Sequence, residues 1–154
     1  MNEDGYVTYP YKIFERIEPY IRQMKWRISN VECGGPDNYE FPFEHTEESI
    51  IDGDDLYELV KSHPDIQWWW GILSGFPKSV PESVIRQNPL FDVQMEQPYL
   101  KGQLHHIEPD AELEIVAFDS TETYVLFDDE SLEEILKKAF PKAENLEEYV
   151  YTEE

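Results

Sequence analysis

The chain has 154 residues, 40% of them hydrophobic, with four Trp, ten Tyr and eight Phe, and carries 34 acidic against 12 basic side chains for a net charge of −22. So much aromatic and aliphatic material excludes a disordered chain, while the negative field argues against nucleic acid and anionic lipid, whose phosphates it repels. No apolar run approaches the roughly 20 residues that a membrane-spanning helix needs.

The single Cys33 cannot close an intramolecular disulfide, and Met1-Asn2-Glu3-Asp4-Gly5 lacks the basic and apolar regions of a secretory leader. Both point to a reducing, cytoplasmic setting. At this length one domain is expected, and no repeat, low-complexity tract or Gly/Ser linker divides it.

Tyr9-Pro10 opens a helix with Ile13, Phe14 and Ile17 on its inward stripe, ended or kinked at Pro19. Lys25 to Cys33 alternates as a strand, and Gly34-Gly35-Pro36 turns the chain. Residues 37–49 mix Pro, aromatics and carboxylates without a period and read as a long loop. Asp52 caps a helix carrying Leu56, Leu59 and Val60 inward, with Asp54 and Asp55 at its positive end; His63-Pro64 stops it.

Residues 67–76, Gln67-Trp68-Trp69-Trp70-Gly71-Ile72-Leu73-Ser74-Gly75-Phe76, are the densest apolar run and predict the central strand. Strict alternation places Trp68, Trp70 and Ile72 on one face and Trp69 and Leu73 on the other, so both faces need covering. A helical turn or two follows Pro81, then a short strand through Phe91, Val93 and Met95. Residues 111–127 form a hairpin, and Ser131 to Phe140 an amphipathic helix with Leu132, Ile135, Leu136, Ala139 and Phe140 inward. Leu146 and Tyr149 face inward in a short last helix before an acidic tail. The fold class is α+β, with a mixed or antiparallel sheet centred on 67–76.

Few patterns here carry chemistry. His105, His106, Glu108 and Asp110 are the nearest approach to a metal set, but adjacent histidines on an extended chain face opposite ways and no H-x-x-x-H or cysteine partner closes a site. Asp52-Gly53-Asp54-Asp55 and Asp128-Asp129-Glu130 lack the ligand spacing of a calcium loop and read as helix starts. Cys33 reads as a small buried residue rather than a nucleophile. Neither phosphate-binding glycine motif nor a G-x-S-x-G elbow is present, and no cofactor is implied.

Ile51-Asp52-Gly53-x-x-Leu56, the strand ending at Phe76-Pro77, and the Phe118-Asp119-Ser120 hairpin with its closing helix resemble an uncharacterised family of small Bacillus-type proteins over residues 50–140. The resemblance implies a structural likeness and carries over no functional residue. The ending Phe140-Pro141-x-Ala143-x-x-Leu146-Glu147-Glu148-Tyr149 is similar in style to small acidic bacterial immunity proteins, which implies a protein partner and no catalysis. The functional expectation is therefore a non-enzymatic binding protein for a basic partner, with Glu40, Glu44, Glu47 and Glu48 as its acidic contact loop. The competing expectations are a small enzyme using carboxylates with His105 or His106 as acid and base, or a metal-binding module.

Overall fold

A computed structural model describes residues 9–35, 41–43 and 46–149. Glu40, Glu44, the side chain of Tyr149 and the acidic tail lie outside the described residues. The chain is α+β: α1 (Pro10–Phe14), α2 (Glu18–Arg22), β1 (Met24–Gly34), β2 (Glu48–Asp52), α3 (Gly53–Ser62), β3 (Gln67–Pro77), α4 (Glu82–Arg86), β4 (Leu113–Phe118), β5 (Glu122–Phe127), α5 (Ser131–Ala139) and α6 (Leu146–Tyr149). The strands form one antiparallel sheet in the order β2-β1-β3-β4-β5, with the tryptophan-rich β3 at its centre. Because β2 and β3 both run antiparallel to β1, they are parallel to each other, and α3 crosses between them over the intervening strand. No helix among the described residues is long and apolar enough to cross a membrane.

The first predicted helix is two. Pro19 sits in the first turn of α2, where its missing N–H costs nothing, so it starts a helix rather than ending one. Together α1, α2, α3 and α5 cover one face of the sheet. Ile13, Phe14, Ile17, Ile21, Leu56, Val60, Leu132 and Leu136 meet Met24, Trp26, Ile28, Trp68, Leu73, Leu113 and Ile115 there. Trp26 is fully buried and its indole N–H donates to the carbonyl of Ile21 at 2.9 Å, which fixes α2 against β1. At the start of α3, Gly53 touches the backbone of the α2–β1 turn so closely that a Cβ would stand 2.0 Å from the Ile21 carbonyl oxygen. Asp52 caps the helix by accepting from the Asp54 amide at 3.1 Å.

The alternation expected along 68–73 fails, for a reason visible in the register. Ser29 pairs with Ile72 but Glu32 with Trp70, so β1 carries an extra residue there, and Asn30 adopts φ 60°. Glu32 pairs with Trp70 but Cys33 with Trp68, so β3 carries an extra residue in turn. These bulges reverse the facing of the strand ends. Trp68 joins Leu73 under the helices, Trp70 joins Ile72 on the opposite face, and Trp69 is left 41% exposed. The Trp triplet is thus only partly interior.

The second face is covered by residues 78–110, which hold only α4 as regular helix. The short strand expected at Phe91 to Met95 is absent: the chain turns there, with Val93 buried and Met95 exposed. The turn is pinned by Asn30, whose side chain donates to the Phe91 carbonyl at 2.6 Å and accepts from the Val93 amide at 3.2 Å. The predicted hairpin forms, with β4 and β5 paired from Leu113↔Phe127 to Phe118↔Glu122. Its turn places Asp119 and Ser120 at positive φ, the backbone of a type I′ connection.

Candidate functional site

The most organised polar chemistry lies between the sheet and the segment that covers its second face. Arg27 alternates with Trp26 and Ile28 on β1, so its side chain enters this layer, where it is 3% exposed. Its Nε donates to Glu48 at 2.6 Å, and its Nη1 to Glu108 at 2.7 Å and to the Ile85 carbonyl at 3.3 Å. Asn88 donates to the other oxygen of Glu108 at 3.1 Å. Burial pushes the Glu108 carboxyl above the ordinary range, although Arg27 and Asn88 draw it down.

Glu114 is the second centre. It sits on β4 opposite Ser74 and is 0% exposed. It accepts from the Ser74 hydroxyl at 2.9 Å, the Tyr99 hydroxyl at 3.3 Å, and the amides of Ile107 at 2.6 Å and Glu108 at 3.0 Å. Four donors match the four lone-pair sites of a carboxylate, the arrangement that makes a buried acid tolerable. Burial and the neighbouring Glu114 push the Tyr99 phenol well above its usual range.

His106 joins this centre to the surface. Its Nε2 lies 2.7 Å from exposed Asp128, and its Nδ1 3.3 Å from Glu114. Burial pulls the imidazole down, but the two carboxylates outweigh it and hold His106 above the ordinary histidine value.

The four weak candidates for a metal set are divided. His106 faces Glu114 and Asp128, Glu108 is engaged by Arg27 and Asn88, and His105 and Asp110 are exposed. Among the described residues no three His, Cys, Asp or Glu side chains gather as a metal requires. Cys33 is buried under the helices. In the predicted contact loop Glu47 is exposed, whereas Glu48 is half-buried and held by both Arg27 and Arg86. The sequence reading missed Arg27, Ser74, Tyr99 and Glu114; the one signal was Glu114, a lone charge in the otherwise apolar run Leu113–Phe118, while Arg27 lies among other polar residues of β1 and gave none.

Arg27 and Glu114 are sealed fastenings, buried and hydrogen-bonded to protein groups. Among the described residues, two of the surface depressions are an open groove and a smaller cleft. A groove of about 660 Å³ runs along β5 beside α5, lined in part by Leu104, Val125, Leu136, Lys137 and Leu146. A cleft of about 250 Å³ brings together Glu112, Asp128 and Asp129 with Tyr20, Met24 and Leu132. His106 reaches this cleft only through Asp128. No protein-family model, curated protein or solved structure matches the chain.

Proposed function

We propose that this protein is a non-enzymatic binding protein that engages a basic protein partner, in the manner of an immunity-type protein. The observation that carries the reading is how the charge is spent. Arg22 is shared by Glu18, Asp54 and Glu58; Arg27 by Glu48 and Glu108; Arg86 by Glu48 and Glu82; and Lys78 and Lys137 pair with Asp52 and Glu133. Cations consumed in this way leave the −22 imbalance to the surface carboxylates.

That excess is dense towards the C-terminal end of the described chain. Asp128, Asp129, Glu130, Glu133, Glu134, Glu144, Glu147 and Glu148 are all exposed there, answered by Lys137, Lys138 and Lys142. A field of one sign speeds the encounter with an opposite one and suppresses wrong partners. Isolated surface pairs contribute only about 0–1 kcal/mol to folding, so stability gives little reason for so lopsided a surface.

The test is kinetic. Immobilised protein should retain a basic protein at low salt, with an association rate that falls steeply as salt rises. E133Q/E134Q/E130Q should slow association without changing the melting temperature by more than a few degrees. Retention that ignores both salt and these substitutions would remove the reading.

A further inference from the structure

The segment 99–110 lies across the second face as a strap, and three of the polar groups fastening it converge on Glu114, beside the Arg27 and Asn88 bonds to Glu108. Tyr99 and the amides of Ile107 and Glu108 all donate to that carboxylate. His106, in the middle of the strap, has carboxylate oxygens facing both ring nitrogens: Asp128 Oδ1 at 2.7 Å from Nε2 and Glu114 Oε1 at 3.3 Å from Nδ1. Nδ1 is sealed from water and has no hydrogen-bond partner of good geometry. A neutral imidazole carries one N–H and sets its other lone pair against an acceptor-only oxygen; the imidazolium alone presents hydrogen to both sides.

We propose that His106 is a proton-operated clasp: as imidazolium it sets a positive charge between Glu114 on the sheet and Asp128 before α5, and on losing its proton it loosens the strap 99–110. The groups around it are few. Glu114 faces it from β4 and Asp128 from the β5–α5 connection, with Glu112 and Asp129 beside Asp128 in the cleft. Within the strap, the His105 ring contacts the His106 carbonyl at 2.9 Å, and Tyr99 and Glu108 reach the cluster through Glu114. Arg27 of β1 connects only by way of Glu108.

Deprotonation removes the positive charge 3.3 Å from a fully buried carboxylate, so the balance that holds the strap down shifts towards opening. The folded value of His106 lies above the ordinary 6.5. The fastening is therefore complete below 6.5 and is lost as pH rises through the folded value. Release uncovers Val116 and Tyr124, which the strap residues Tyr99, Leu104 and Ile107 cover.

Ring NMR of His106 and amide exchange of Ile107 and Glu108, corrected for intrinsic rates, test the clasp together from about pH 6 to about pH 9. Strap opening should rise with the His106 titration, about tenfold for each unit separating the closed and open values, while amides of β1 keep their protection. Asp128 is exposed, so D128N should fold and move both midpoints down together. H106Q should leave the strap open at every pH. Strap protection that stays flat through the His106 titration, or a midpoint that D128N does not move, overturns the proposal, and neither outcome bears on the basic partner.

Discussion

Arg27 on β1 and Glu108 on the covering segment meet at 2.7 Å with both side chains almost wholly withdrawn from water. They join the sheet to a chain with little regular structure of its own, and the join is polar. A buried pair of this kind adds little net stability over an apolar replacement, yet leaving one partner behind is costly.

R27M strands Glu108 without its cation and should cost about 3–5 kcal/mol in urea denaturation. R27M/E108L removes both charges and should recover most of that loss. A single mutant within 1 kcal/mol of the parent, on the scale expected of a solvated surface pair, would show that water reaches the site.

Gly53 is required by closeness. Its neighbours are the carbonyl oxygens of Ile21, Met24 and Arg22, at 2.0, 2.6 and 2.9 Å from where a Cβ would stand, and backbone cannot swing aside as a side chain does. G53A should destabilise by at least about 1–3 kcal/mol and loosen α3 from α2, read as a lower melting temperature with lost amide protection in both helices.

The neighbouring indoles should respond unequally. W68A opens a cavity between helices and sheet and should cost about 3–5 kcal/mol; W69A removes a half-solvated ring and should cost about 1 kcal/mol or less. Equal losses in urea would contradict the bulged register.

Acid should weaken the start of α5. The Ser131 hydroxyl and amide donate to Asp129 at 2.6 and 2.9 Å and hold its carboxyl below the ordinary 3.8. A lowered folded value means stability that is whole above 3.8 and is lost as pH falls through the folded one. D129A should therefore lower the urea midpoint at pH values above 3.8 and converge with the parent as pH falls through the folded value, which flattens the acid limb.

The elements with strong periods were legible in the sequence. Leu132 and Leu136 mark α5 by spacing alone, Asp52 marks the start of α3, and the hairpin shows as two apolar runs around Asp119-Ser120. What escaped was non-local. Asn30 at positive φ reverses the alternation downstream, and nothing in a period-two pattern announces it. Glu114 belongs with Tyr99 and His106 because a segment without regular structure folds back over the sheet, a fact set by tertiary contact rather than by any spacing. Phe91, Val93 and Met95 alternate like a strand, but Asn30 takes up the Phe91 carbonyl and Val93 amide that a ladder needs.

The paired bulges have a spectroscopic consequence. Three consecutive indoles stand in three surroundings: Trp68 under the helices, Trp70 edge-on to Phe118 at 5.1 Å beneath the second layer, and Trp69 in contact with solvent. With the others, Trp26 included, replaced by Phe, each indole becomes a lone fluorophore, emitting blue, intermediate and red respectively. One short stretch of ribbon then reports separately on either side of the molecule, so that loosening of one layer registers as a colour change in one tryptophan while its neighbours stay silent.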